Sequence, residues 1–427
     1  MQKRNQGNYV EGLFSFIDKS PSPFHAIETT KEMLTEAGFM EVLENRSWNI
    51  EKGGKYFVVR NDSAIIAFQV PEKEITGFHM VASHSDSPSF KIKENAELTL
   101  DKAYTKLNVE KYGGMIMSSW FDRPLSVAGR VYVNAEAGIE KRMIHFDEDL
   151  LVIPNLAIHM NREVNSGMKY SAQTDMCPVL STSADKEQFK KLLADKAGAM
   201  VEDVLGQDLY LYTRQQGLVI GTNQDMIMSP RLDDLECAYG SMQALIESTP
   251  DCFVNICAVL DNEEVGSGTR QGADSDFLYS TLKRIVYAMG GTEETYMQAV
   301  AESFLISADN AHAVHPNHPE KADPTNRPVL NGGIVIKFSG NQKYTSDAFS
   351  GSIMKKLCMD AQVPYQVFYN HSDVLGGSTL GNISTAHVSV ASVDIGLPQL
   401  AMHSAVETAG VKDVEYLVKA LKEFYKL

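Results

Sequence analysis

The sequence is poor in cysteine, has no long apolar run and carries no excess of positive charge. Its five cysteines are an odd number and none forms a CxxC pair, so a disulfide framework and a thiolate zinc site are both disfavoured. No stretch approaches the roughly 20 apolar residues of a membrane span, and the N-terminal segment lacks the apolar core of a secretory signal, showing only one short amphipathic turn. These absences predict a cytoplasmic protein whose metal ligands, if any, are nitrogen and oxygen atoms.

Charge and composition narrow the class of protein further. The formal net charge is −16 at pH 7, so nucleic acid and anionic membrane surfaces would be repelled at long range. The composition is 44% hydrophobic and 22% charged, without a low-complexity tract, which excludes disordered and fibrous classes. With 427 residues, the chain is long enough for one large core and a second module.

Several apolar, strand-like runs end beside residues that can hold a metal ion. The runs 76–83, 253–260 and 304–307 each lead into such a side chain. The run 387–395 is followed by a loop that carries another, and a fifth candidate opens a helical pattern. Open α/β sheets bind ligands at the carboxyl ends of their strands, so these side chains are expected to converge. The five candidate ligands are His84, Asp233, Glu264, Asp309 and His403.

The stretch of chain without these candidates has a different texture. Short alternating runs at 129–138 and 141–146, and another at 208–214, predict strands. One helix is predicted at 185–204 from its 3.6-residue spacing. We therefore expect a β-rich insert over residues 94–225.

The outer parts of the chain are richer in helical patterns. Amphipathic helices are predicted at 23–37, 232–247 and 412–427. Combined with the apolar runs, they predict a discontinuous α/β domain formed by residues 1–93 and 226–427.

Two short motifs carry candidate chemistry, and each has a plainer alternative. In HSDSP, Asp86 lies two residues after His84, so in extended backbone it could orient the imidazole; the same motif is also typical of a turn. In DNEEVGSG, Glu263 and Glu264 would repel each other in a partly desolvated site unless a cation compensates them. One could then bind metal while the other takes a proton from water, but a solvated acidic loop has equal weight.

Two further acidic segments complete the pattern. Asp233 and Asp234 stand at a helix start, where a carboxylate can simply cap the helix. A single carboxylate can also bridge two metal ions in hydrolases, and Asp233 is the candidate for that position. Four potential ligands fall within ten positions of ADNAHAVHPNH: Asp309, His312, His315 and His318.

Taken in order, these motifs match a known family. HSDSP, SPRLDDL, DNEEVGS, SADNAHAVHPN, GGIVIKF with NQKY, and PQLAMHS resemble, in the same order, the motifs of the aspartyl aminopeptidases, the M18 metallopeptidases. The resemblance extends from FHAIE at 24–28, through WFDRPLSVAGRV and IPNLAIHMNR in the insert, to the last loop. It therefore covers nearly the whole chain.

The resemblance implies a zinc-peptidase α/β/α sandwich with a mixed sheet, an inserted dimerisation domain, and dimers assembled into a tetrahedral dodecamer. It implies two divalent metal ions per subunit, zinc in the family, although cobalt and manganese suit the same ligands. Asp233 would bridge the ions, Asp86 would orient His84, and Glu263 would be the general base for a water held between the metals. His159 would reach into a neighbouring subunit's active site and contact the substrate carbonyl.

The implied reaction removes the N-terminal residue of peptides that have a free amino terminus. Lys337, Tyr344 and His312 are the expected substrate contacts, and Lys337 would face an acidic (Asp or Glu) side chain unless it extends to solvent. Some family members prefer neutral residues. The family usually has Asn in place of Asp234 and Cys in place of Gly376, which leaves substrate choice open.

Two other functions are compatible with the same ligands. A dinuclear deacylase or carboxypeptidase would need a cation for the substrate carboxylate, and Arg231 is the arginine that lies beside a ligand motif. A catalytically silent assembly scaffold would be expected to have lost part of the ligand set or Glu263. A free-amine substrate fits the sequence better than either.

Overall fold

The computed structural model describes residues 6–374 and 376–427, and ten α-helices form within them. Residues 1–5, which belong to the N-terminal prediction, and Leu375 lie outside the described residues. The helices are α1 (Gln6–Asp18), α2 (Pro23–Glu36), α3 (Ala172–Asp175), α4 (Gln188–Ala197), α5 (Leu232–Ile246), α6 (Phe277–Ala288), α7 (Glu293–Ala301), α8 (Ala348–Asp360), α9 (Leu380–His387) and α10 (Asp413–Phe424).

The strands form three sheets within the described residues. They are β1 (Met40–Glu41), β2 (Lys55–Arg60), β3 (Ala64–Gln69), β4 (Gly77–His84), β5 (Ser89–Leu100), β6 (Tyr104–Tyr112), β7 (Leu125–Ala135), β8 (Gly138–His145), β9 (Val179–Ser181), β10 (Val204–Thr213), β11 (Leu218–Ile220), β12 (Met226–Ser229), β13 (Phe253–Leu260), β14 (Phe304–Ala308), β15 (Ala311–His312), β16 (Ile334–Lys337), β17 (Tyr365–Phe368), β18 (Ala391–Gly396), β19 (Pro398–Leu400) and β20 (Glu407–Gly410).

The chain divides into two compact units, and the larger contains a nine-stranded mixed sheet. This unit takes in the chain up to Asp86, Gly217–Met402 and Glu407–Leu427. The sheet order is β1-β2-β3-β13-β4-β14-β18-β16-β17. Strand β4 pairs in parallel with both β13 and β14, and β14 pairs in parallel with β18. A smaller sheet of the same unit has the order β11-β12-β20-β19-β15.

Helices cover both faces of the nine-stranded sheet. In β3, Ile65 and Ala67 belong to one apolar core and Ile66 and Phe68 to the other, as the two-residue period of a strand requires. Helices α1, α2, α5, α8 and α10 contribute to the first core, and α6, α7 and α9 to the second. The predicted α/β sandwich with a mixed sheet is confirmed.

The smaller unit comprises Ser87–Gln216 with His403–Val406 and is built on an antiparallel six-stranded sheet. The strand order is β8-β7-β10-β5-β6-β9. Its core includes Phe90 of β5, Trp120, Phe146 just after β8, and Phe189 of α4. This unit therefore has an apolar core of its own.

Three elements differ from the sequence predictions. The first segment is a helix of 13 residues, not one short turn, because Val10, Leu13 and Ile17 recur on one buried face. The helix predicted at 185–204 ends at Ala197, where Gly198 adopts the left-handed conformation (φ +63°) that commonly ends helices. The predicted strand run at 387–395 is shorter, since α9 ends at His387 and β18 begins at Ala391.

Among the described residues, no helix is both long enough and apolar enough to cross a bilayer.

A buried histidine makes the stability of the larger unit sensitive to acid. The ring of His79 stacks on Phe253 at 3.9 Å between centroids and packs against Phe424 at 4.8 Å. Burial lowers the pKa of His79 to about 4, below the value of about 6.5 in an unfolded chain. The folded state therefore holds the neutral ring, and we expect the free energy of unfolding to fall by up to about 3 kcal/mol as the pH drops from 6.5 to 4.

Urea unfolding of wild type and His79→Leu between pH 4 and 8 tests this expectation. The free energy of unfolding is plotted against pH for each protein. The difference between the two slopes reports on His79 alone, because the other acid-sensitive groups are common to both proteins. His318→Gln, at a side chain that is 63% exposed, serves as the control and should retain the wild-type slope. A His79→Leu protein with the same pH dependence as wild type would contradict the assignment.

Candidate metal centre

Three of the predicted ligands come from adjacent parallel strands. His84 is the last residue of β4 and lies in register with Leu260, the last residue of β13. A 3-10 turn that contains Glu264 follows β13, and Asp309 follows β14 on the other side of β4. Parallel strands deliver their carboxyl ends to one edge of a sheet, so the continuous apolar runs place these side chains together.

The start of α5 adds a fourth predicted ligand and a residue that ties the strand ends together. Asp233 is buried, and its backbone N–H donates to Glu407 Oε2 at 2.9 Å. The two carboxylate oxygens of Asp234 accept the backbone N–H groups of His84 and Asn310, each at 3.2 Å. Asp234 therefore holds the end of β4 against the end of β14.

Asp86 organises the next layer of the site. Its backbone carbonyl lies 3.0 Å from Nδ1 of His84, and its Oδ1 lies 3.3 Å from the same atom. Its two carboxylate oxygens also accept the backbone N–H groups of Glu263 at 3.1 Å and Glu264 at 3.2 Å. One fully buried carboxylate thus fixes the imidazole and both glutamates.

The close ligand atoms form two groups within the larger unit. In one group, ligand atoms of four residues lie within 4.8 Å of one another; in the other, those of three residues do. The groups are His84, Asp233, Asp234 and Asp309, and His84, Glu263 and Glu264. They share His84, whose Nε2 lies 3.7 Å from Asp233 Oδ1, so one imidazole joins the two sets of acids.

The electrostatics of the cluster fit a bound cation. Burial and neighbouring carboxylates raise the pKa of Glu263 to about 8 against the opposing effect of His84. Burial alone would lower the pKa of His84, but Asp234, Asp86 and Glu263 raise it well above its usual value. Burial likewise raises the pKa values of Asp234 and Asp309. Several buried acids around one imidazole are costly without a compensating charge, and nitrogen and oxygen donors of this kind suit divalent metal ions.

The fifth predicted ligand belongs to the smaller unit. His403 lies three residues beyond β19, in the short segment His403–Val406. Its Nδ1 lies 2.8 Å from the backbone oxygen of Gly114. A proton on Nδ1 that donates to this carbonyl places the lone pair of the imidazole on Nε2.

Lys337, a predicted substrate contact, is buried beside the acids. It ends β16 with 3% of its side chain exposed, so extension to solvent is ruled out. Its Nζ lies 2.9 Å from the carbonyl oxygen of Asn310, 3.6 Å from Asp309 Oδ1 and 5.4 Å from the centre of the Tyr344 ring. Burial alone would lower the pKa of Lys337, but Asp309, with Tyr344 and Asp394, raises it. The side chain is a fixed positive charge at the edge of the cluster.

His312 lies apart from the acids, in a cavity of the larger unit. It is exposed at the end of β15 and lines a cavity of about 320 Å³ together with His315, His318 and Phe368. Among the described residues, the groups close enough to hold a metal ion contain none of these three histidines. The local concentration of histidines in the sequence therefore marks the wall of a cavity, and Asp309 is the member of that segment that lies in the acid cluster.

Two residues that depart from the family pattern have local explanations. The carboxylate of Asp234 accepts two N–H groups, as described above, whereas the amide of an asparagine offers one acceptor oxygen. A Cβ atom at Gly376 would lie 2.1 Å from Nδ2 of Asn370. A larger residue there would require the Asn370 side chain to move.

His159 lies on an exposed loop of the smaller unit. The neighbouring apolar side chains are also exposed: Leu156 by 52%, Ile158 by 48% and Met160 by 71%.

Sequence reasoning did not identify three residues that support the cluster. Asp234 was considered only as a possible helix cap and as a departure from the family pattern, and Asn310 and Glu407 were not singled out. Each is buried, and each bonds to a segment that carries a predicted ligand. The available signal is adjacency, since Asp234 follows Asp233 and Asn310 follows Asp309.

The nine-stranded mixed sheet gathers a histidine and buried acids at its strand ends, which is a donor set that suits divalent metal ions. A family model described as "Aminopeptidase I zinc metalloprotease (M18)" matches residues 16–425. The chain therefore belongs to the M18 family, and it is a metalloaminopeptidase.

Individual relatives cover almost the whole chain. A probable M18 family aminopeptidase 2 from Clostridium novyi (strain NT) is 46% identical over 432 residues, covering 99% of this chain and all of the relative. The protein of the same description from Stutzerimonas stutzeri (strain A1501) is 43% identical, covering 97% of each. Among solved structures, Ape4 in its complex with Nbr1 has a TM-score of 0.95 and 34% identity, covering 99% of this chain and 86% of that one. The S. cerevisiae mApe1 dodecamer has a TM-score of 0.85 and 26% identity, covering 99% and 97%.

Proposed function

We propose that this aminopeptidase removes acidic N-terminal residues from peptides with the help of two divalent metal ions, zinc in the first instance. The observation that carries the proposal is the buried cluster of acids around His84, with the ammonium of Lys337 fixed at its edge. The proposed ligands are His84, Asp233, Glu264, Asp309 and His403, with Asp233 shared by both ions. When bound, the ions would act as Lewis acids on water and the scissile carbonyl.

Glu263 is the proposed general base. Its backbone N–H donates to the carboxylate of Asp86, and burial and neighbouring acids raise the pKa of its own carboxyl group to about 8. It would take the proton of the attacking water and pass it to the departing amine. Asp86 accepts the backbone N–H groups of Glu263 and Glu264, so these two bonds do not use either glutamate carboxylate. Glu264 would bind metal while Glu263 transfers protons.

A free amino terminus is a better fit than a substrate carboxylate. Arg231, the arginine beside a ligand motif, donates from Nη2 to the backbone oxygen of Ile17 at 3.0 Å. A guanidinium engaged with the main chain in this way is poorly placed for bidentate binding of a C-terminal carboxylate. This favours aminopeptidase over carboxypeptidase chemistry.

The proposed assembly is a homo-oligomer of dimers, built up into a tetrahedral dodecamer. The insert, residues 94–225, would serve as the dimerisation domain, and His159 would contact the substrate carbonyl in a neighbouring subunit. Exposed apolar side chains beside His159 support a role for its loop in contacts between subunits. A related structure, the mApe1 protein of S. cerevisiae, is a dodecamer.

A panel of peptides beginning with Asp, Glu or Leu tests the proposed preference. Lys337→Met should lower kcat/KM for the acidic substrates by about 100-fold, because a site that binds a charged group is left without its partner. The Leu peptide should lose far less, and metal content should stay at the wild-type level. Tyr344→Phe and His312→Gln, assayed on the same panel, report on the two remaining predicted contacts.

The alternative is an aminopeptidase of the same fold that prefers neutral residues. It is favoured by the contacts that Lys337 already makes with Asn310 and Asp309. Equal losses on acidic and neutral peptides would show that Lys337 acts through Asp309, and wild type that prefers Leu would reject the acidic preference. On the same panel, His159→Ala with wild-type kcat on every peptide would remove His159 from the active site.

A further inference from the structure

Asn310 makes hydrogen bonds with all four of its polar groups while almost completely buried. Its exposed fraction is 2%. Its backbone N–H donates to Asp234 Oδ1 at 3.2 Å, and its backbone oxygen accepts from Lys337 Nζ at 2.9 Å. Asn310 directly follows Asp309, so its backbone bonds fix the main chain just after the end of β14, where Asp309 lies.

The side chain of Asn310 bonds to the segment that carries Asp233. Nδ2 donates to the backbone oxygen of Leu232 at 3.0 Å and approaches Glu236 Oε2 at 3.2 Å. Oδ1 accepts from Cys237 Sγ at 3.1 Å. Three residues of the segment 232–237 thus lie within hydrogen-bonding distance of a single amide, and Asp233 belongs to the same segment.

The same side chain also reaches the strand pair that precedes the last loop. Nδ2 lies 3.2 Å from Gln399 Oε1, and Oδ1 accepts the backbone N–H of Leu397 at 3.3 Å. Asn310 therefore joins four segments: the end of β14, the start of α5, the end of β16 and the β18–β19 connection.

We propose that Asn310 is a positioning residue of the metal centre, which fixes the distance between the carboxylates of Asp233 and Asp309 and holds the Lys337 ammonium beside them. Residues that orient metal ligands from behind influence metal affinity about 10- to 100-fold when they are replaced. An asparagine suits this place because one planar amide supplies both donors and an acceptor. The inference rests on the proposed ligand set.

Metal affinity and kcat at saturating metal test the positioning role separately from thermal stability. Asn310→Leu keeps the number and branching of the side-chain heavy atoms and removes the amide, and Asn310→Ala only removes atoms, so the alanine variant introduces no clash. Asn255 offers a matched control, because it is also fully buried in the larger unit and donates from Nδ2 to the backbone oxygen of Tyr425 at 2.9 Å. Asn255→Leu and Asn255→Ala lose a buried amide near the start of β13, at the opposite end of that strand from Glu264.

The wild-type and variant proteins would be stripped with a chelator and titrated with Zn²⁺ and Co²⁺ against a chromophoric competitor. We expect both Asn310 variants to bind metal at least 10-fold more weakly than wild type, with an altered Co²⁺ absorption spectrum and a lower kcat at saturating metal. Both Asn255 variants should lose thermal stability and retain wild-type affinity and spectrum. Asn310 variants with wild-type affinity and spectrum would overturn the positioning role.

The proposed function fails by a different result. A wild-type protein that binds neither ion would reject the ligand set itself, whatever the variants do. A wild-type aminopeptidase with two bound ions and metal-tight Asn310 variants would reject the positioning role alone.

Discussion

Replacing Glu263 by glutamine is expected to lower kcat by about 1000-fold while leaving metal content and substrate binding close to wild type. The amide has the size of the carboxylate and keeps the backbone bond to Asp86, but it cannot accept the proton of the attacking water. The loss should therefore fall on kcat, with little change in KM. Steady-state assays on an N-terminal Asp peptide measure kcat and KM, and elemental analysis of the same preparation measures the metal content.

The neighbouring glutamate provides the matched comparison. Glu264 is held by the same Asp86 carboxylate and is a proposed ligand, so Glu264→Gln should lose bound metal together with activity. Glu263→Gln that retains most of its turnover would remove Glu263 from the base role. If Glu263→Gln loses metal as readily as Glu264→Gln does, Glu263 is a metal ligand.

Asp233→Asn is expected to lose metal and activity together. The substitution keeps the shape of the side chain and removes one negative charge from a residue proposed to bind both ions. Metal affinity should fall by more than about 100-fold, which exceeds the effect of replacing a residue behind the ligands. Competition titration of the chelator-stripped protein measures the affinity directly.

Asp413→Asn is the control for loss of a buried carboxylate. Asp413 is fully buried in the larger unit and accepts the backbone N–H groups of Asn331 at 2.7 Å and Gly333 at 3.0 Å. It should lose stability without a change in metal affinity. Equal affinity of the Asp233 and Asp413 variants for metal would contradict the place of Asp233 in the site.

The sheet and the place of the strand ends could be predicted because their signal is local. The buried strands β4, β13 and β14 are nearly continuous apolar runs: His84 is the last residue of β4, Asp309 directly follows β14, and Glu264 lies in the turn after β13. Since parallel strands share a carboxyl edge, the convergence of His84, Glu264 and Asp309 followed from the order of elements.

The supporting bonds could not be predicted because they join distant segments. Asp234 meets His84 across 150 positions, and Glu407 meets Asp233 across 174. Nothing in the local pattern of either acid indicates its partner. Helix ends were misjudged for a related reason: Gly198 ends α4 through a left-handed conformation that the spacing of apolar residues does not reveal.

Local density of a residue type was also a poor guide. Three histidines were potential ligands because they fall, with Asp309, within ten positions of the sequence, yet His315 and His318 pack against each other with ring centres 5.2 Å apart in the wall of a cavity. Side chains spaced by three positions converge on one face only if the segment is helical. Here the segment is a short strand followed by a loop.

Metal stoichiometry of the wild-type protein, followed through stripping and reconstitution, tests the central claim most directly. We expect two equivalents of divalent metal per chain, loss of peptide hydrolysis when they are removed, and recovery in proportion to the metal that rebinds. Full hydrolysis by a chain shown by elemental analysis to hold no metal would contradict it.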